Sequence, residues 1–447
     1  MNPVSEASRD WNVFDRMASE VGDCAEAFPV TFSKARGSTL YDGTGRCYLD
    51  FCSGAGTLNY GHNNPVLRER MRAYLARDGV AHDLDVNARA KHDVHARNDF
   101  AQSLGRLVLE PRRLDYILRF PGPSETNAIE AALKLARRAT GRQNVISFAH
   151  GFHGMSGGSL AATTDRSLHE AAGATLGNIS FMPYDGYFGP DVNTMAYLER
   201  MLDDPDSGLD HPAAVIVETV QGEDGVNVAS QCWLRELERL CRRHDMLLIV
   251  DDIQVGCGRA GGFFSFEAAG ISPDIVILSK SLSGFGLPLS LLLLRPALGA
   301  WWTGTDSRTE GNDLAFVAAT QVLETYWADG TLSRKIEAKE RLVRDWLENL
   351  AHSCQDAGLG VRGRGLIQAL VVPVGDDLAG QIARRAFEQG VVIETAGAHD
   401  EVLKVLPALT IPDEQLQRGL EIIERSVDDI LACQGRRPRP GPGPGLP

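Results

Sequence analysis

Short, continuously apolar segments alternate with longer amphipathic ones between residues 116 and 279, and this alternation restricts the fold more than any other feature. The apolar runs are 116–120 (YILRF), 144–148 (NVISF), 213–219 (AAVIVET), 246–250 (MLLIV) and 274–279 (DIVILS). Runs without polar alternation belong to strands buried on both faces. Such strands need helices on either side, which predicts an α/β fold with a mostly parallel central sheet. The intervening segments supply those helices. Ile129, Ala132, Leu133 and Ala136 repeat at helical spacing over 127–139, and Asn127 followed by Glu130 predicts a capping box at its start. A second helix is expected through Leu234, Leu237 and Cys241.

The last hundred residues follow another pattern. Residues 366–372 (LIQALVV) read as a strand. Over 413–433, Leu416, Leu420, Ile423, Val427 and Ile430 mark an amphipathic helix, with Thr410 and Pro412 as start signals. This part reads as a smaller α+β domain, and 447 residues are in any case many for a single core.

Composition excludes several functions. The net charge of −14 argues against a nucleic-acid partner. No run is long enough for a membrane span; Leu287 to Leu294 is among the longest. No secretory signal is legible at the start, so a cytoplasmic protein is expected. The eight cysteines form no CxxC pair and no Cys/His ligand spacing, so no metal is expected, and they read as reduced, small core residues.

In parallel sheets, ligands sit at the carboxyl ends of strands. Three of the apolar runs end in a chemically useful residue: Glu218, Asp251 and Lys280. A lysine able to form a Schiff base, with a carboxylate for a pyridinium nitrogen, is what pyridoxal phosphate demands. Each residue also has a plain structural reading. Lys280 can simply mark a strand end, Asp251 can cap a turn, and Asp252 competes with it. The turn FPGPSETNAIEAALKLARR, with Ser124, Glu125 and Thr126, offers a helix N-terminus for a phosphate. FAHGFHGMSGG offers Phe152 and His153 as aromatic partners for a flat ring, or as packed loop aromatics. Glu218 and Gln221 in VETVQGEDG either orient groups near the ring or cap a strand.

Together these segments resemble the class III (omega) aminotransferases of pyridoxal-phosphate fold type I. The resemblance spans about residues 11–432 and is most specific in LLIVDDIQVGCGRAGGFFSFEAAGISPDIVILSKSLSGFGLP. It implies pyridoxal 5'-phosphate as cofactor, carried by Lys280. It implies Asp251 on the ring nitrogen, Phe152 stacked on the ring, Gln254 at the ring hydroxyl, Glu218 near the substrate and Gln221, and Thr126 with its neighbours on the phosphate. The small-molecule partners would be an amino donor bearing a terminal amine, as in a small diamino acid, and a 2-oxo acid. A related omega-aminotransferase or aminomutase on another substrate, and a non-catalytic homologue, are the rival readings. A second copy of the chain would complete the site as a homodimer. The expected division is a flexible 1–10, a segment 11–75 contributing to the small domain, a cofactor domain 76–325, the small domain 326–434 and a disordered tail 435–447.

The chain departs from the family pattern in places. Glu125 stands where a glycine is usual. The loop that reaches the partner subunit's phosphate reads Ser307-Arg308-Thr309-Glu310-Gly311-Asn312, so Arg308 or Thr309 takes the usual threonine's place. A glycine-rich turn has become Gly222-Glu223-Asp224-Gly225, and 80–91 (VAHDLDVNARAK) also differs.

Overall fold

The computed structural model describes residues 28–77, 95–303 and 312–435. Its centre is a seven-stranded sheet: β1 (Ile117–Arg119), β2 (Val145–Phe148), β3 (Ile179–Met182), β4 (Ala214–Val217), β5 (Leu247–Asp251), β6 (Ile275–Leu278) and β7 (Leu291–Leu294). The spatial order is β1-β7-β6-β5-β4-β2-β3. All neighbours are parallel except β7, which runs against both β6 and β1. The expected strands are therefore present, four of them with trimmed ends and β5 shifted one residue onward to include Asp251. β3 and β7 complete the sheet without having been singled out as strands.

The unbroken apolar runs follow from burial on two faces. Val215, Val217, Leu248, Val250, Val276 and Leu278 pack into one core, which also holds Trp233, Leu234 and Leu237 of helix α2 (Gln231–Arg243). Ile216, Ile249, Ile275 and Ile277 pack on the other side, against Ala128, Ile129, Ala132, Leu133 and Ala136 of helix α1 (Glu125–Thr140). Successive strand residues point to opposite faces, so one run feeds both cores.

The start of α1 differs from the expected capping box. Ser124 is the N-cap: its Oγ accepts from the amide of Asn127, whose side chain accepts in return from the Ser124 amide. Asn127 is thus the third residue of the helix. Glu130 instead accepts from the amide of Ser159 at 2.8 Å. Both Ser-x-x-Asn and Asn-x-x-Glu fit the capping pattern, and the preceding extended residue at Ser124 decides between them.

Around this sheet lie two four-stranded sheets and a short ribbon in which Val220–Gln221 pairs antiparallel with Asn227–Val228. Strands Phe32–Arg36, Thr39–Asp42 and Cys47–Asp50 form an antiparallel ribbon. Val391–Val392 adds to it, parallel to Cys47–Asp50. Strands Gly360–Arg364, Ile367–Val371, Val402–Val405 and Glu394–Ala396 form an antiparallel sheet. The terminal helix runs Asp413–Cys433, the span that its periodicity predicts.

Cys52, Cys241, Cys257 and Cys354 are buried free thiols, whereas Cys47, Cys232 and Cys433 are exposed, against the expectation of core residues; Cys24 lies outside the described residues. No helix among the described residues is long and apolar enough to cross a membrane. The tail from 436 and the first 27 residues lie outside them too.

Candidate active site

The C-terminal edge of the sheet carries the site. Asp251 is the last residue of β5, Glu218 follows β4, and Lys280 stands two residues beyond β6. The loop after β2 holds Phe152 and His153, and α1 begins at Glu125 after β1. Five separate segments thus meet at one cavity of about 260 Å³, whose walls include Glu125, Thr126, Phe152, Glu218, Asp251 and Lys280.

Asp251 is fixed by two contacts. Its Oδ2 lies 2.7 Å from Nδ1 of the buried His153, and its Oδ1 accepts from the Ile253 amide at 3.2 Å. His153 therefore serves the carboxylate with one edge of its ring, while Phe152 is the free aromatic of the pair at the cavity wall. Asp252, the competing acid, is fully buried and turns to the Ser265 amide at 3.0 Å. Burial pushes its carboxyl up to about 7, against the hydrogen bonds from Ser265 and the positive charge of Arg364. The two adjacent acids thus have different surroundings, and only Asp251 lines the cavity.

Glu218 accepts from the Phe152 amide at 3.0 Å. Burial, then the negative charge of Asp251, pushes its carboxyl well above the ordinary range. Burial and a neighbouring negative charge both favour the uncharged form of the Glu218 carboxyl. Gln221 lies behind the site: its amide donates to the Ala149 carbonyl at 2.8 Å, and its oxygen accepts from Asn227 at 3.1 Å. Ser124 is occupied by its helix cap.

Lys280 Nζ donates to the carbonyl of Ala55 at 3.1 Å and lies 3.7 Å from Glu223 Oε1. The Gln254 amide donates to that same carbonyl at 3.0 Å and also to Glu223. Its Oε1 is buried with no hydrogen-bond partner among the described residues. Glu223 further pairs with Lys404, a buried lysine, at 3.1 Å. Burial raises the Glu223 carboxyl, but Lys404, Lys280 and Gln254 outweigh it and hold it at about 2. Glu223 and Lys404 were not singled out from the sequence as site residues. The only signal was the changed turn 222–225, and nothing local pairs it with a strand 181 residues later.

Pyridoxal phosphate requires a primary amine, an acid for its ring nitrogen, an aromatic wall and an anion site. Lys280, Asp251, Phe152 and the amides that open α1 supply these around the cavity. Two glycines pack closely against side chains of the site. A Cβ on Gly222 would fall 1.6 Å from Gln254 Oε1, and one on Gly154 would fall 2.9 Å from Thr126 Oγ1. Glu125 is the first residue of α1, where its charge suits the helix dipole. Arg308 and Thr309, like the loop 80–91, lie outside the described residues.

A lysine, an aspartate and a helix start converging on the carboxyl edge of such a sheet define a pyridoxal-phosphate enzyme of fold type I. Solved structures share this fold. An S-selective transaminase from Arthrobacter sp. superposes with a TM-score of 0.83 at 20% identity, covering 97% of this chain and 100% of that one. The ornithine aminotransferase from Toxoplasma gondii does so at 0.79 and 24%, covering 97% of each. The chain belongs to the class III aminotransferases: the family model Aminotransferase class-III matches residues 22–427. It is thus a pyridoxal-phosphate-dependent transaminase. It is 65% identical over 424 residues to the diaminobutyrate--2-oxoglutarate transaminase of Bordetella parapertussis, covering 95% of this chain and 96% of that one. With the protein of the same name from Halomonas elongata it shares 49% over 424 residues, 94% of this chain and 99% of that one.

Proposed function

We propose that the chain transfers the terminal amine of 2,4-diaminobutyrate to 2-oxoglutarate, yielding aspartate semialdehyde and glutamate, and catalyses the reverse. The observation that carries this reading is the 65% identity, over 95% of the chain, to a diaminobutyrate--2-oxoglutarate transaminase. The bound cofactor supplies an electron sink for the carbon that bears the amine.

The residues have the following roles. Lys280 would hold the cofactor through its ε-amine and, once free of it, would move the proton at the substrate carbon. Asp251 keeps the ring nitrogen protonated. Phe152 covers one ring face, and Gln254 offers its unpartnered oxygen to the ring hydroxyl. The amides at Glu125 and Thr126 hold the phosphate, assisted by Arg308 or Thr309 of a second copy. Glu218 sits near the substrate and Gln221. The working unit is a homodimer in the cytoplasm, and the setting is ectoine synthesis. The chain divides into a cofactor domain over 76–325 and a small domain built from 11–75 and 326–434.

The test is a donor screen with 2-oxoglutarate as acceptor, following glutamate. The expected result is that 2,4-diaminobutyrate gives a kcat/KM above those of ornithine, 4-aminobutyrate and lysine. A higher value for any of those replaces the substrate. No glutamate from any donor, with cofactor present, would overturn the reading altogether.

A further inference from the structure

Residues Ser53, Gly54, Ala55 and Gly56 all have positive φ, at 48°, 57°, 52° and 83°. Four successive left-handed residues form one turn of left-handed helix. L-residues avoid this conformation, and even glycine adopts it mostly singly. Here two of the four carry side chains. The turn is held from below by Asp50, whose Oδ1 accepts from the amides of Cys52 at 2.8 Å and Ser53 at 2.9 Å, while its Oδ2 lies 2.8 Å from His62 Nε2. It is held from above by Ser281, whose hydroxyl donates to the Gly56 carbonyl at 3.0 Å.

This geometry aims the Ala55 carbonyl at Lys280 Nζ, 3.1 Å away. Lys280 is itself left-handed, at φ 42°. One hydrogen bond therefore joins two non-glycine residues in a costly backbone conformation, at the centre of the site. Strain of this kind persists where the surroundings enforce it, and it concentrates at sites that need a fixed geometry. The same carbonyl accepts from Gln254, so it fixes two cofactor-facing side chains at once.

We propose that the left-handed turn Ser53–Gly56 is a backbone dock for the ε-amine of Lys280. Ala55 is then a positioning residue: its carbonyl receives the amine whenever the lysine is free of the cofactor and holds it within reach of the substrate carbon. The inference rests on Lys280 being the cofactor-bearing lysine.

The test uses Ala55→Gly and Ala55→Val. Glycine tolerates the left-handed turn but opens it to other conformations. Valine resists the turn. Should Ala55→Val not fold, Ala55→Gly still decides. In protein stripped of cofactor, Lys280 should be labelled several-fold faster by trinitrobenzenesulfonate in the variants, read by peptide mapping, because the amine is no longer held against a carbonyl. In the loaded enzyme, kcat should fall on the order of tenfold with KM for 2,4-diaminobutyrate little changed, since a misplaced group costs rate rather than binding. If labelling and kcat both match the parent and only the melting temperature moves, the turn is a structural feature and the dock is refuted. A parent enzyme that yields no pyridoxyl group on Lys280 after borohydride reduction would overturn both this inference and the reading beneath it.

Discussion

His153 Nδ1 lies 2.7 Å from Asp251 Oδ2, with both side chains almost fully buried at the end of β5. On the proposed reading Asp251 faces a ring nitrogen, and His153 orients its carboxylate from behind, in the manner of a base held by a third group. His153→Leu should leave that oxygen without its partner. An unmet buried acceptor costs about 1–3 kcal/mol, so turnover should drop on the order of tenfold or more. His153→Gln, which keeps a donor, should recover part of the loss. Steady-state kinetics on the two variants checks this, and equal turnover in both would show that the contact is only packing.

Lys280→Ala should abolish transamination, because the nucleophile and the proton carrier are lost together. Borohydride reduction of the parent enzyme followed by peptide mapping should place the pyridoxyl group on Lys280. An adduct on Lys134 or Lys404 would move the assignment.

Asp251→Asn should fold normally and turn over at least a hundredfold more slowly, a loss of ~3 kcal/mol or more of transition-state stabilisation. Asp252→Asn should act on stability instead. Its carboxyl is raised to about 7 in the folded protein from an ordinary 3.8. The stabilisation this gives is complete below about pH 3.8 and is lost as pH rises towards 7. At pH 8 the parent therefore holds a charge that burial disfavours, and the variant should be more stable there by roughly 2–4 kcal/mol. Thermal melts at pH 5 and pH 8 check the sign: the gap between variant and parent should widen at the higher pH.

Gly222→Ala should weaken cofactor binding. The new methyl would overlap Gln254 Oε1, which lies 1.6 Å from its position, so the carboxamide must swing out of the site. Losing one such contact costs about 1.4 kcal/mol, a tenfold rise in cofactor Kd. A fluorescence titration of the stripped enzyme with pyridoxal phosphate reads it directly.

The sheet was legible in the sequence because burial on both faces leaves a local mark, the unbroken apolar run. The ends of those runs also exposed Glu218, Asp251 and Lys280 as candidates. Other features left no such mark. Asp251 and Asp252 are chemically identical neighbours, and only the path of the chain after β5 sends one to the cavity and the other to Ser265. The Glu223–Lys404 pair joins a loop of the central sheet to the strand Val402–Val405. The left-handed turn at 53–56 contains a serine and an alanine, residues that announce no such conformation, and it exists because Asp50 and Ser281 grip both ends. The cap of α1 was misplaced by three residues because two overlapping patterns fit equally well.

The strand Cys47–Asp50 pairs in parallel with Val391–Val392, Leu49 lying opposite Val391. As a nascent polypeptide leaves the ribosome, the first of these strands is made hundreds of residues before its partner exists. Until then the outer edge of the ribbon has open amides and carbonyls, the kind of edge that recruits foreign strands. The Asp50 that steadies the left-handed turn sits on that same strand, opposite Val392. A polypeptide cut short before residue 391 would therefore carry the strand that holds Asp50 without its parallel partner.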